Sequence, residues 1–198
     1  MRTLVTSDAT MGEALACALA FDRVCAAGEL ERAARDNLDA VTISALAPIA
    51  WAANQAAAWD LRSIRRLQEV LATCRISQVT VISTCAVYPA ADGADESWPI
   101  DPGGLAPYPR HRYDLERWCV ERWDTTIVRL PRLYGGPHRC AIRNPARDLA
   151  RLAALHPAST KQHYDLARLG GDLARVARLG LRLVNLVPPP LEGWRVLI

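Results

Sequence analysis

Residues 78–84, QVTVIST, form the clearest buried strand in the sequence, and the fold can be predicted outward from them. The run is rich in β-branched residues and carries no charge, which is typical of a central strand in a parallel sheet. Residues 39–45, DAVTISA, and residues 125–130, TTIVRL, have a similar β-branched content. These three segments therefore predict neighbouring strands of one sheet.

Helical segments separate these strands. Residues 50–73 are predicted to form one long helix, because Leu61, Ile64, Leu67 and Leu71 recur on a single apolar stripe. A second helix is predicted from Tyr108 to about residue 123. Shorter elements extend the alternation, with strands predicted at 2–7, 21–25 and 181–187 and helices at 11–20, 29–35, 145–155 and 166–179.

This alternation predicts an α/β fold, a Rossmann-like parallel sheet with helices on both faces. A chain of 198 residues has room for one such domain, which we place at residues 1–198. The hydrophobic share of 51% and the charged share of 23% are those of a globular protein and exclude a disordered chain.

The charge pattern excludes other classes of function. The formal charge is only +3, and no clustered basic face is visible, so no nucleic-acid partner is expected. The most apolar stretch, residues 40–59, contains Pro48, Asn54 and Gln55, so no membrane partner is expected. The six cysteines show no CxxC spacing, and the N-terminus has no signal-peptide pattern. We therefore predict a cytoplasmic protein with free thiols and no metal site.

Three residues could carry chemistry. Thr84 ends the central strand, and Tyr108 opens the helix that follows a loop rich in Pro, Gly and Asp. Arg112 lies four residues further, so it shares a helix face with Tyr108. A fixed cation stabilises an ionised phenol, and a hydroxyl at the strand end could contact the same substrate oxygen. Such a trio can transfer a proton while a hydride moves. The spacing alone is weak evidence, because Tyr113 and Arg117 repeat it.

The segments that surround these residues carry a family resemblance. Residues 83–89, STCAVYP, followed by residues 108–112, YPRHR, resemble the extended short-chain dehydrogenases/reductases, the NAD-dependent epimerase/dehydratase group that acts on nucleotide sugars. That family has a Ser or Thr, a V-Y-G-like turn and then Y-x-x-x-K. Residues 39–45 are similar to its D-x-V-x-H-x-A strand, and residues 129–137 to its R-x-x-x-x-Y-G-P. Residues 162–166 and 183–186 resemble the start of its substrate domain.

The resemblance implies roles for individual residues. Thr84 matches the catalytic Ser or Thr, and Tyr108 matches the catalytic acid/base. Arg112 stands where the family has its lysine and would lower the phenol pKa. The cofactor would be NAD or NADP, with weak or absent binding possible, and the partner a small-molecule substrate. The resemblance also implies a homodimer formed through a helix bundle. Residues implied in cofactor binding are Ser7, Thr10, Gly12, Asp22, Glu29, Leu30, Ala45, Ser83 and Pro131.

The chain also departs from the family pattern. Residues 7–13, SDATMGE, retain only Gly12 of the glycine-rich turn, so weak dinucleotide affinity is expected. One of the two strands expected near the adenosine end has little sequence left for it. Asp60 stands where the family often has Asn. The C-terminal substrate lobe is expected to be truncated, with residual elements at 137–198.

Three hypotheses of function follow. The first is an NAD(P)-dependent epimerase, dehydratase or reductase of a nucleotide sugar or a similar hydroxylated substrate. The second is a catalytically degenerate homologue with a binding, regulatory or scaffolding role. The third is a Rossmann-like module that pairs with another chain to complete its substrate lobe. Two neighbouring residues receive structural interpretations, His111 as a surface or capping residue and Cys85 as a packing residue.

Overall fold

The computed structural model describes residues 2–6, 15–16, 21–26, 37–44, 50–89, 93–134 and 160–192. Six strands of these residues form the main sheet: β1 (Arg2–Thr6), β2 (Arg23–Ala26), β3 (Asn37–Ser44), β4 (Arg75–Thr84), β5 (Asp124–Leu130) and β9 (Leu183–Asn185). Their spatial order is β2-β1-β3-β4-β5-β9, and every neighbouring pair is parallel. The predicted parallel sheet is therefore confirmed.

The central strand β4 lies where residues 78–84 predicted it. Val79 pairs with Val41 of β3 and with Thr125 of β5, so the three β-branched segments lie side by side. Because all strands run in one direction, their carboxyl ends meet at a single edge of the sheet. Thr84, the last residue of β4, lies at that edge beside Leu130 of β5.

Helices cover both faces of the sheet. The helices are α1 (Ala50–Gln55), α2 (Ala57–Ala72), α3 (Pro107–Val120) and α4 (Leu169–Leu179). On one face α2 and α3 bury Leu67, Leu71 and Leu115 against the strands, and each side chain of this size contributes about 1.5–3 kcal/mol when fully buried. On the other face α4 packs through Leu169 and Val176. The three-layer α/β arrangement of the prediction is confirmed.

The predicted single helix over residues 50–73 is wrong. The backbone leaves the helical region at Ala56 (φ −104°, ψ 41°), so α1 ends at Gln55 and α2 begins at Ala57. No Gly or Pro marks this break, which is why the sequence pattern missed it. The break separates Asn54 from Asp60, and both side chains reach α3.

Short elements complete the described chain. They are β6 (Arg132–Tyr134), β7 (Thr160–Lys161), β8 (His163–Asp165) and β10 (Leu191–Glu192), with β6 paired to β8 and β7 to β10. The helix predicted at 166–179 is a 3₁₀ turn, Leu166–Arg168, continued by α4. That helix ends at Gly180, whose φ of +65° requires the left-handed conformation that glycine tolerates.

Several predicted elements fall outside this part of the chain. The helices expected at 29–35 and 145–155, and all but two residues of the one expected at 11–20, lie outside the described residues. Within the described ranges, β2 is the one strand beyond β1 on its side of the sheet. None of the helices described has the length and apolar character that a bilayer crossing requires.

Candidate active site

Thr84 lies at the carboxyl end of β4, immediately before a 3₁₀ turn at Cys85–Val87. Its side chain is buried, and its Oγ1 accepts a hydrogen bond from the Ala86 N–H at 3.1 Å. This bond caps the turn and fixes the position of the hydroxyl oxygen. Because the oxygen is the acceptor, the hydroxyl hydrogen can still be donated to a substrate oxygen.

Tyr108 lies in the first turn of α3, which packs against the turn that follows Thr84. Pro107 begins the helix, where a missing N–H costs nothing. The Tyr108 N–H donates to Asn54 Oδ1 at 2.8 Å, so a side chain of α1 satisfies one of the free amides at the start of α3. The Tyr108 side chain is buried, with 4% of its surface exposed.

Arg112 lies against Tyr108, as the spacing of four residues predicts. Its guanidinium carbon is 4.3 Å from the centroid of the Tyr108 ring, a cation–π contact. The Arg112 Nη1 also donates to Asp60 Oδ2 in the first turn of α2. Both side chains are almost fully buried, so the structure brings Tyr108 and Arg112 together with a carboxylate that the sequence did not assign to a site.

His111 is a second donor group on the same carboxylate. Its Nδ1 lies 2.7 Å from Asp60 Oδ2, and its side chain is buried. The interpretation of His111 as a surface or capping residue is therefore wrong. Asp60 and His111 are 51 positions apart, so no local spacing pattern could indicate their contact. The signal in the sequence was that Asp60 replaces the family's Asn.

A second buried network lies one helical turn further along α3. Arg129 on β5 donates from Nε and Nη2 to the two carboxylate oxygens of Glu116, at 3.2 and 2.6 Å. Its Nη1 donates to the Tyr88 hydroxyl at 2.6 Å, and that hydroxyl contacts the Asn185 side chain at 3.1–3.2 Å. Burial opposes the Arg129 charge, but Glu116 and Tyr88 more than offset this, and the pKa of Arg129 is raised.

This network reaches the long loop between β4 and α3. Glu96 on that loop accepts the Asn185 backbone N–H at 2.6 Å through its Oε1. Strand β9, helix α3 and the loop are thus connected through Tyr88 and Arg129. The connection holds the loop at the carboxyl edge of the sheet, close to the end of β4.

Cys85 follows Thr84 but has no reactive character. Burial raises the pKa of its thiol to about 12, with Arg129 opposing and Glu116 and Glu96 adding to the effect. A thiol with this pKa is protonated at neutral pH and is a poor nucleophile. This agrees with the interpretation of Cys85 as a packing residue.

Three of the nine residues predicted to bind a cofactor lie within the described ranges. The other six lie outside the described residues: Ser7, Thr10, Gly12, Glu29, Leu30 and Ala45. Asp22 is exposed just before β2, and Pro131 is half-buried between β5 and β6. Ser83 is buried in β4 beside Arg129 of β5.

The carboxyl edge of the sheet, where a nicotinamide dinucleotide would bind, carries buried polar atoms without a partner among the described residues. The Oγ atoms of Ser44 and Ser83, at the ends of the neighbouring strands β3 and β4, are buried and have no hydrogen-bond partner among the described residues. A ligand at this edge could satisfy such atoms, and open parallel sheets bind ligands there. In the ranges that the structure describes, no group of His, Cys, Asp and Glu side chains could hold a metal ion.

Comparison with known proteins agrees with this geometry. The sequence profile described as the NAD dependent epimerase/dehydratase family matches residues 8–166. No curated protein matches the sequence. Solved structures, by contrast, match across almost the whole chain at low sequence identity, which shows the fold.

Three of these structures illustrate the similarity. RMD from Pseudomonas aeruginosa, complexed with NADPH, has 18% identity and a TM-score of 0.72, over 98% of this chain and 80% of its own. DesIV, a dTDP-glucose 4,6-dehydratase from Streptomyces venezuelae with NAD and TYD bound, has 17% identity and a TM-score of 0.70, over 99% and 79%. The UDP-glucose 4-epimerase from Bifidobacterium longum, in complex with NAD+ and UDP, has 14% identity and a TM-score of 0.66, over 98% and 80%.

The profile covers well over half of the chain, and the sheet order, the helices on both faces and the polar carboxyl edge agree with it. The chain therefore belongs to the NAD dependent epimerase/dehydratase family.

Proposed function

We propose that the protein is an NAD(P)-dependent epimerase, dehydratase or reductase that acts on a nucleotide sugar or a similar hydroxylated substrate. One observation carries the proposal: Tyr108 and Arg112 contact each other at the start of α3, which packs on the turn directly after Thr84. A phenol, a cation and a strand-end hydroxyl in this arrangement suit proton transfer at a substrate oxygen.

In this mechanism Tyr108 takes the proton of a substrate hydroxyl or returns it. Thr84 donates its hydroxyl hydrogen to the same substrate oxygen and holds it in place. Arg112 contributes positive charge beside the ring and so stabilises the ionised phenol. A bound nicotinamide supplies the site with the ability to accept and return a hydride. The burial of Tyr108 and Arg112 excludes water and strengthens these interactions.

The substrate class is proposed from the comparisons. Two of the structural neighbours are a dTDP-glucose 4,6-dehydratase and a UDP-glucose 4-epimerase. A nucleotide sugar offers a secondary hydroxyl for Tyr108 and Thr84. We therefore use UDP-glucose and dTDP-glucose as the first probes.

Cofactor binding is the first test. NADH and NADPH are titrated into the protein while energy transfer from tryptophan to the nicotinamide is recorded. We expect saturable but weak binding, because Ser7 and Thr10 stand in a turn where the family has glycines that let the backbone approach the diphosphate. Saturation at low micromolar cofactor would contradict the expected weakness. No signal at millimolar cofactor would contradict the enzymatic function itself.

Turnover is the second test. The protein is incubated with NAD+ and each probe, and products are followed by proton NMR. Tyr108→Phe is expected to lower turnover by about 10²–10⁴-fold, the usual contribution of a general acid/base, with cofactor binding unchanged. Tyr113→Phe is the matched control, since Tyr113 and Arg117 repeat the spacing on the same helix. Equal effects of the two substitutions would rule out the proposed role of Tyr108.

The alternative is a catalytically degenerate homologue with a binding, regulatory or scaffolding role. It is favoured by the contact of Arg112 with Asp60, because a buried carboxylate offsets the cation that should activate Tyr108. Cofactor binding without turnover of any nucleotide-sugar probe would support this alternative.

The family resemblance also leads us to propose a homodimer through a helix bundle and a cytoplasmic location. Among the described cysteines, Cys74, Cys85 and Cys119 are free thiols, which suits a reducing compartment. Light scattering of the purified protein would test the dimer.

A further inference from the structure

Asp60 is a buried carboxylate that carries two donors on one oxygen. It lies in the first turn of α2 with 2% of its surface exposed. Its Oδ2 accepts from Arg112 Nη1 and lies 2.7 Å from His111 Nδ1. A buried carboxylate is costly unless it is paired and hydrogen-bonded, so these contacts fix both side chains of α3.

Arg112 stands between Asp60 and Tyr108. One of its terminal nitrogens donates to the carboxylate, while its guanidinium carbon lies 4.3 Å from the ring centroid. The Tyr108 ring is therefore in contact with a cation, Arg112, and that cation is paired with an anion, Asp60. The field of such a pair at the ring is smaller than that of the cation alone, because the two charges oppose each other.

We propose that Asp60 is a positioning residue: it holds Arg112 across the face of the Tyr108 ring and sets how much of the arginine's positive charge acts on the phenol. The inference rests on the proposed function, in that Tyr108 is its acid/base. Asp60 does not itself contact the reacting atoms and acts through Arg112.

Asp60 is not required merely to dock α3. The Tyr108 N–H is held separately by Asn54 on α1, and Leu115 of α3 is fully buried in the core beside Ile64 of α2. The charge of Asp60 can therefore be removed while these contacts between the helices remain.

Among the described residues, charged or titratable groups lie on several elements packed against α3, including Arg129 on β5, which pairs with Glu116 of α3 itself. Helix α2 contributes Asp60, and α3 contributes His111 and Arg112. The turn packed against α3 carries the Cys85 thiol, and burial raises the pKa of this thiol to about 12. A change in the titration of Tyr108 on neutralising Asp60 thus reports on the pair that contacts it.

The test is an ultraviolet difference titration of tyrosinate, in which the curve of Tyr108→Phe is subtracted to isolate Tyr108. We expect Asp60→Asn to shift the Tyr108 midpoint to lower pH, because the amide oxygen still accepts from Arg112 and keeps it over the ring while the cation is no longer offset. Asp114→Asn, the same chemical change at an exposed position of α3, is the matched control and should leave the midpoint unchanged. An unchanged or higher midpoint in Asp60→Asn overturns the proposal.

A second comparison covers the case in which Asp60→Asn alone does not fold. The double variant Asp60→Asn/Arg112→Met removes both charges and leaves no unpaired ion in the core. We expect Arg112→Met to shift the midpoint to higher pH and the double variant to lie clearly below it. If the double variant and Arg112→Met titrate at the same pH, the charge of Asp60 does not reach Tyr108 and the proposal fails.

These titrations use neither cofactor nor substrate, so the two proposals fail separately. Absence of turnover together with the expected midpoint shifts would discard the enzymatic function and leave the role of Asp60 intact. If turnover is found, Asp60→Asn should move the acidic limb of the pH profile of kcat to lower pH, with KM unchanged. A uniform loss of kcat at every pH would show a structural role only.

Discussion

Helix α3 carries two buried ion pairs one turn apart, Arg112–Asp60 and Glu116–Arg129, and they are built differently. Glu116 uses both carboxylate oxygens and receives two nitrogens of Arg129 in a forked pair. Asp60 uses a single oxygen for both Arg112 and its neighbour His111. An arginine and a carboxylate thus form a two-bond pair at Glu116, whereas at Asp60 one carboxylate oxygen is shared by two residues.

The surroundings of the pairs differ as well. The third donor of Arg129 goes to Tyr88, which contacts Asn185, so that pair joins α3 to β5 and β9. Arg112 instead presents its guanidinium to the Tyr108 ring. The comparison teaches that the Glu116–Arg129 pair connects α3 to the sheet. The Arg112–Asp60 pair, by contrast, also contacts Tyr108, the residue proposed to transfer the proton.

The largest expected effect on stability comes from breaking the Glu116–Arg129 pair. Glu116→Gln leaves Arg129 buried without a counter-charge, and we expect a loss of about 3–5 kcal/mol in the free energy of unfolding. Urea denaturation at neutral pH measures this loss. Glu121→Gln is the matched control, because Glu121 forms an exposed pair with Arg122 at 3.6 Å and such pairs contribute less than about 1 kcal/mol. Similar losses in the two variants would contradict the structural role of Glu116.

The next effect compares the two arginines directly. Arg129→Met leaves the Glu116 carboxylate without its forked partner, whereas Arg112→Met leaves Asp60 with His111. We therefore expect Arg112→Met to be less destabilising than Arg129→Met, by about 1 kcal/mol or more, in the same urea experiment. If Arg112→Met is the more destabilising variant, the Asp60–Arg112 pair stabilises the fold more than the Glu116–Arg129 pair does. The proposed difference between the two pairs would then be wrong.

The sequence predicts the strands of this region well and its ion pairs poorly. The β-branched runs place β3, β4 and β5 correctly because burial between two helical layers selects such residues at every position. The start of α3 at Pro107 is one residue from the predicted start at Tyr108, since proline favours the first helical turn. These are local signals, and local periodicity is enough to find them.

Long-range side-chain pairing has no such signal. Asp60 and His111 lie on different helices, and their contact depends on the break at Ala56, which no residue in the sequence marks. The positions of Thr84, Tyr108 and Arg112 could be taken from the family resemblance, but their roles remain predictions. The cofactor residues of the first turn fall outside the described part of the chain, so the expected weak affinity stays a prediction too.

A further effect should follow from weakening the surroundings of the Glu116–Arg129 pair while the pair itself remains. Tyr88→Phe removes the hydroxyl that receives Arg129 Nη1 and contacts Asn185, while Glu116 keeps its forked pair. Loss of a hydrogen bond to a charged group predicts a cost of about 1.5–3 kcal/mol, measured by thermal or urea unfolding. Tyr113→Phe, on a half-buried residue of α3, is the comparison, and an equal cost would mean that the Tyr88 bond adds nothing.

The last effect is a pH dependence of stability that comes from Cys119 on α3. Cys119 is fully buried three residues after Glu116, and burial raises the pKa of its thiol to about 12, with Arg122 opposing and Glu116 adding to the shift. In the unfolded chain the thiol ionises near its ordinary pKa of 9.0. The folded state therefore holds a proton that the unfolded state releases, and the contribution to stability is complete below pH 9 and is lost as the pH rises toward 12. For one thiol the loss is at most about 1.4 kcal/mol per pH unit in that range.

Urea midpoints of the protein and of Cys119→Ala at pH 8 and about 10.5 test this, and we expect a shallower decline in the variant. Parallel declines would show that the alkaline loss comes from other groups, and that Cys119 is ionised equally in the folded and unfolded chain.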